Sequence, residues 1–159
     1  MSGVVKENYK IVADKIRDKI EKQGEFLCYE YNNAESGCCC AIGLMYHHEN
    51  GDPGTIRDRL EKLYHESDGD IPDFEESLNM VSVDNLLLYV PIECFGYDPE
   101  LHGPFDLYSE FLDEVQDVND NMHVYAMGGN LFIDMLDKFH GALLSWIEHT
   151  VVKDRINGS

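Results

Sequence analysis

A run of cysteines followed by two histidines is the segment whose residue types could most readily do chemistry. Cysteines occupy positions 38–40, and His47 and His48 follow after six intervening residues. A cysteine–histidine nucleophile requires hydrogen-bond contact between the two side chains. On a continuous helix, Cys40 and His47 would lie about 10 Å apart along the axis, at ~1.5 Å per residue. We therefore expect buried structural cysteines here, unless the helix breaks at Gly43.

Metal binding is the second chemistry that these residue types suggest. Ligands of a zinc ion lie ~2.0–2.3 Å from it, so the separation of Cys40 and His47 also disfavours a shared ion. Residues 68–76 are rich in aspartate and glutamate, which suggests comparison with a calcium-binding loop. Gly69 and Pro72 do not match the EF-hand order, however, because that loop places its glycine sixth. The sequence therefore predicts no metal and no cofactor.

A glycine pair, Gly128-Gly129 followed by Asn130, could present backbone amides to an anion at the start of the last helix. Negative charge surrounds this segment, and an ordinary turn with a helix cap is the simpler interpretation. Neither a Walker sequence nor Gly-x-Ser-x-Gly nor Gly-x-Gly-x-x-Gly occurs in the chain. No catalytic residue is predicted.

Negative charge is the most unusual property of this chain of 159 residues. Its formal net charge is −19, and residues 64–137 contain 18 acids without a lysine or arginine. Contact with phosphates requires a basic patch, so direct nucleic-acid binding is disfavoured. The tract instead favours a basic protein surface as partner. The acids expected to bind that partner are Asp70, Asp73, Glu76, Asp106, Glu110, Asp113, Glu114 and Asp117.

The elements that must position these residues follow from hydrophobic periodicity, which predicts a mainly α-helical single domain over residues 1–159. An amphipathic helix is expected over about 4–23, a buried central helix over 37–48, and a long helix from Phe132 to about Val152. At most two short strands are expected. The remaining expected elements are helices after Thr55, over 73–80, over 82–89 and from Pro104, a loop at 117–121, and candidate strands at 26–31 and 123–127.

The N-terminus becomes charged at once and lacks the apolar segment of a signal peptide. No stretch approaches the ~20 apolar residues of a membrane span, so no membrane contact is predicted. The five cysteines include three adjacent ones, whose spacing suits free thiols better than disulfides. We therefore expect a cytoplasmic protein.

Two short motifs resemble those of a family of small uncharacterised bacterial and phage proteins. Residues 37–43, Gly-Cys-Cys-Cys-Ala-Ile-Gly, are similar to that family's Cys-Ala-Leu-Gly-Ala helix, and Val118-Asn119-Asp120 is similar to its Trp-Asn-Asp. The departures are Val118 for tryptophan, Leu44 for the final alanine and Glu25 for an aromatic residue. The resemblance implies that Cys40, Gly43, Asn119 and Asp120 determine the fold, through a small-residue helix contact and a side-chain cap on the last helix. It carries no activity over, but it makes a phage origin plausible.

Three functions compete. The favoured one is an acidic interaction protein, acting as a nucleic-acid mimic or inhibitor on the basic surface of a host defence or DNA-handling protein. A second is a small enzyme or ligand-sequestering protein with a pocket beside residues 38–48. A third is a protein adapted to high salt. The candidate residues of the pocket are Cys40, His47, His48, Asn119 and Asp120.

Overall fold

The computed structural model describes residues 2–26, 40–46, 59, 62, 83–88 and 90–156. No β-strand occurs in these ranges, and the prediction of a mainly α-helical fold is confirmed. The elements are α1 (Ser2–Gln23), α2 (Ala41–Met45), α3 (Val83–Leu86), a 3-10 helix (Ile92–Phe95), α4 (Pro99–His102), α5 (Phe105–Met127), α6 (Phe132–Thr150) and α7 (Lys153–Ile156).

Helices α1, α5 and α6 build the framework, with α6 packed against both others. Each buries a stripe at helical spacing, as amphipathic helices do. On α1 the buried stripe includes Tyr9, Ala13, Ile16 and Ile20, as predicted. Gly24 ends this helix as expected, with a φ of 91° that favours glycine. The stripe of α6 comprises Met135, Leu136, Phe139, Leu143 and Ile147.

Helix α5 corrects two predictions. Residues 117–121 are not a loop and residues 123–127 are not a strand, because the helix runs unbroken from Phe105 to Met127. The physical reason is that the buried stripe continues through Val115, Asn119 and Met122. Asn119 looks like a turn residue in the sequence, but it occupies a core-facing position whose hydrogen bonds are satisfied elsewhere in the fold.

Helix α2 corrects the bounds of the predicted 37–48 helix. Cys40 has an extended backbone (φ −71°, ψ 174°), so the helix begins at Ala41, and Tyr46 is extended again (ψ 129°). Its burial is as predicted, because Ala41 and Ile42 are fully enclosed. Gly43 is half-buried.

Several predicted elements lie outside the described residues, namely the strand at 27–31, the helix over 73–80 and most of the helix after Thr55. The helix predicted over 82–89 is observed as α3, which is shorter. Pro91, expected to end this helix, is also the N-cap residue of the 3-10 helix. Within the described ranges, no helix combines the length and apolar character needed to cross a membrane.

Candidate functional site

The acids of α5 lie in one stripe along the helix. Asp106, Glu110, Asp113, Asp117 and Asp120 are separated by four, three, four and three residues, the spacing that repeats on one helical face. Glu114 follows Glu110 by four residues and belongs to the same stripe. The five predicted acids that lie on α5, from Asp106 to Asp117, are therefore brought together, and Asp120 joins them. We call these six residues the acidic row.

The central part of the acidic row forms one wall of an open groove of about 590 Å³. Trp146 and Thr150 of α6 line the opposite side, and Arg155 of α7 closes one end. Trp146 also packs on the core through Phe111, with ring centroids 5.6 Å apart. The groove thus combines carboxylates with an aromatic surface whose position is fixed by the core.

The groove contains one ion pair between described residues and one carboxyl with a raised pKa. The Arg155 guanidinium donates a hydrogen bond to the carboxylate of Glu110, so one end of the row already holds a cation. Glu114 is half-buried, and burial, followed by the nearby charge of Asp117, raises the pKa of its carboxyl above the ordinary range. Positive charge added beside Glu114 and Asp117 would therefore relieve the repulsion between them.

Among the described residues, Asp137 of the 64–137 tract does not extend this surface. Asp137 lies on α6 and accepts a hydrogen bond from Arg17 of α1 at 2.7 Å. Lys6 and Lys10 of α1 pair with Glu148 of α6, so basic residues of the first helix face α6. In the described part of the chain, the acidic surface that was predicted over residues 64–137 is therefore limited to the acidic row of α5. Asp70, Asp73 and Glu76 lie outside the described residues.

The structure brings together three residues of the alternative pocket, Cys40, Asn119 and Asp120, in a contact with α2. The Asn119 side-chain oxygen accepts a hydrogen bond from Ala41 N–H at 3.0 Å, and its amide donates to Asp120 Oδ1 at 3.3 Å. Cys40 is buried. His47 and His48 lie outside the described residues, so their part in this pocket stays a prediction.

The expected cap on the last helix is wrong. Asn119 caps α2, whereas α6 begins after Leu131, whose side chain forms no capping hydrogen bond. Asn130 donates instead to the carbonyl of Tyr125, near the end of α5. The glycine pair 128–129 is a turn, as predicted, with Gly129 at a φ of 77°.

A second groove was not predicted. It has a volume of about 380 Å³ and lies between α1 and residues 93–108. Lys15 and Lys19 line it on one side, and Tyr97 and His102 on the other. The only sequence signal was a histidine between Leu101 and Gly103 outside any periodic pattern, which does not indicate a site.

Among the described residues, no group of three or more His, Cys, Asp or Glu side chains is arranged to hold a metal ion. The resemblance based on residues 37–43 and 118–120 stays an expectation. Comparison of the chain with protein-family models, with curated protein sequences and with solved structures finds no match.

Proposed function

We propose that this protein is an acidic interaction protein whose acidic row binds the basic surface of a nucleic-acid-binding protein. The observation that carries the proposal is the placement of six carboxylates on one face of α5. The row runs from Asp106 to Asp120, a rise of about 21 Å along the helix axis at ~1.5 Å per residue. Negative charge arranged in this way attracts basic partners and speeds their encounter.

The spacing of the row supports the more specific idea of a nucleic-acid mimic. Its six carboxylates are separated on average by about 4 Å along the helix axis, at ~1.5 Å per residue. One strand of a DNA duplex carries a phosphate about every 3.4 Å of axis. A basic surface shaped to contact successive phosphates would therefore meet charges at a similar interval on α5.

The groove beside the row suits arginine side chains in particular. Arg155 already forms an ion pair with Glu110 at one end, which is how a partner's guanidinium would bind further along. The half-buried ring of Trp146 adds a surface over which a cation is attracted. Arginine is the basic residue that most often combines these two contacts.

The proposal is tested by capture and competition. Immobilised protein is exposed to an extract of the cells in which it is naturally made, and retained proteins are identified. We expect a basic nucleic-acid-binding protein that duplex DNA releases, because DNA and the acidic row would use the same surface. An uncharged polymer of similar size serves as the control competitor. Retention of no basic protein, or retention that DNA leaves unchanged, would contradict the proposal.

A further inference from the structure

The second groove is built from apolar walls that carry a few polar groups. We call it the α1–α4 groove, after the helices that flank it. Its apolar lining includes Ile11, Val12, Ile16, Met45 and Phe95. Its volume of about 380 Å³ lies within the range of small-molecule sites, which are mostly apolar clefts of ~300–1,000 Å³ with a small number of placed polar groups.

His102 supplies a buried donor in this groove. The residue is 3% exposed, and its ring packs against Tyr9 and Tyr108 with centroids 5.4 and 4.9 Å away. Nδ1 accepts a hydrogen bond from Asp98 N–H at 3.1 Å, so the neutral ring carries its proton on Nε2. No hydrogen-bond acceptor for Nε2 is found among the described residues. Nε2 is not among the enclosed atoms that lack a partner, so it is open to the groove and can donate to a bound acceptor.

Lys15 places a positive charge in the same groove, on the side opposite His102. It lines the groove from α1, is exposed, and forms no ion pair with any described residue. Burial in the main, and to a smaller extent the Lys15 ammonium, lower the pKa of His102. Lys15 and His102 together offer two donors to one anionic group.

Negative charge lines another part of the groove. Glu93 is exposed and Asp98 half-buried, and both are lining residues. After burial, their charges are the causes that raise the pKa of the Tyr97 hydroxyl, which places them close to its ring. Asp98 Oδ1 accepts from Glu100 N–H at 2.9 Å, which fixes the carboxylate at the start of α4. A ligand that carried only negative charge would meet repulsion here.

We propose that the α1–α4 groove binds a small zwitterion with an apolar body, of the class of free amino acids with aliphatic or aromatic side chains. The carboxylate accepts from Lys15 and His102, and the ammonium group faces Glu93 and Asp98. The apolar body packs between α1 and Phe95. This arrangement uses both signs of charge in the groove, and it is independent of the acidic row, which lies on α5.

The test is titration of the ¹⁵N-labelled protein with L-leucine and with L-phenylalanine, followed by NMR. We expect shift changes confined to the neighbourhood of Lys15, Tyr97 and His102. N-acetyl-L-leucine lacks the cationic group and L-leucine methyl ester lacks the carboxylate, so each should bind at least about tenfold more weakly, the factor for loss of one charged hydrogen bond.

Two exposed positions allow variants that keep the fold. Lys15→Gln and Glu93→Gln should each weaken L-leucine binding about tenfold, by removing one charge from the site. Lys22→Gln, on the same helix but outside the groove, should leave it unchanged. Three results would each overturn the proposal. They are the absence of shift changes with both amino acids, binding of the acetylated or esterified compound as tight as that of L-leucine, and binding of L-leucine by Lys15→Gln or Glu93→Gln as tight as that by the wild type.

Discussion

The side-chain oxygen of Asn119 accepts a hydrogen bond from the backbone N–H of Ala41 at 3.0 Å, across 78 residues of sequence. The side chain of Cys40, at the N-cap position of α2, makes no capping hydrogen bond. A residue of α5 therefore caps α2 in its place. This contact joins the buried short helix α2 to α5, the helix that carries the acidic row.

Asn119→Ala is expected to destabilise the protein by about 1–3 kcal/mol, because it leaves the buried Ala41 N–H without an acceptor. Urea unfolding of the variant measures this change. Asn121→Ala is the matched control, since Asn121 is exposed on the same helix. An effect of Asn119→Ala no larger than that of the control would show that the cap contributes nothing to stability.

The fold was predictable where a single helix carries its own signal. Tyr9, Ala13, Ile16 and Ile20 recur at helical spacing in α1, and the stripe of α6 is just as regular, so both helices were expected at nearly their observed bounds. The second half of α5 was not predictable in this way. Asn119 lies in the buried stripe of the helix and accepts a hydrogen bond from Ala41, a partner that no local pattern reveals.

The candidate site, too, could be predicted from the sequence only in part. The acids from Asp106 to Asp117 were expected to bind a partner from their charge alone, but their alignment in a row follows only once α5 is known to be continuous. The places of Trp146 and Arg155 beside it depend on how α6 and α7 pack. The α1–α4 groove depends on residues from three separate segments and leaves no pattern in the sequence.

Glu114→Gln is expected to stabilise the protein at neutral pH, by up to about 0.5 kcal/mol, the scale of surface substitutions. The raised pKa of Glu114 means that the folded state binds this proton more tightly than the unfolded state. Its ionisation therefore lowers the free energy of unfolding as pH rises through that pKa. The gain in the variant should shrink in acid, where Glu114 of the wild type is protonated.

Urea unfolding at several pH values checks this expectation. Glu21→Gln changes an exposed glutamate of α1 outside the row and serves as the control. A loss of stability in Glu114→Gln at neutral pH, with no such loss in the control, would mean that Glu114 forms a favourable contact and is not repelled within the row.

His102 is expected to make the fold sensitive to mild acid. Burial lowers the pKa of its ring below the ordinary value of 6.5, so the unfolded state takes up this proton at a higher pH than the folded state. The free energy of unfolding should therefore fall as pH drops through about 6.5 toward the lower pKa of the folded state.

The pH dependence of unfolding is compared in wild type, His102→Gln and His149→Gln. His149 is exposed on α6 and provides the control. Between neutral pH and pH ~5.5, the free energy of unfolding should depend less steeply on pH in His102→Gln than in the wild type, whatever that variant's absolute stability. The His149→Gln variant should keep the wild-type slope. An unchanged slope in His102→Gln would show that the ring titrates alike in both states.

Reversal of charge within the acidic row should abolish partner binding while the fold survives. The row variant carries Asp113→Lys, Glu114→Lys and Asp117→Lys. The control variant carries Glu21→Lys, Glu100→Lys and Asp134→Lys, three exposed acids outside the groove. Both variants have the same net charge, so they differ only in where the positive charge is placed.

The most direct test of the acidic row is the affinity of these two variants and the wild type for the captured basic protein, measured across NaCl concentrations. We expect wild-type binding to weaken steeply with salt, because screening shortens from ~8 Å at physiological ionic strength to ~3 Å at 1 M. The control variant should retain most of this affinity, and the row variant should lose at least about a hundredfold, or ~2.7 kcal/mol. Equal affinity of the row and control variants would contradict the account, because binding would then depend on net charge and not on the row.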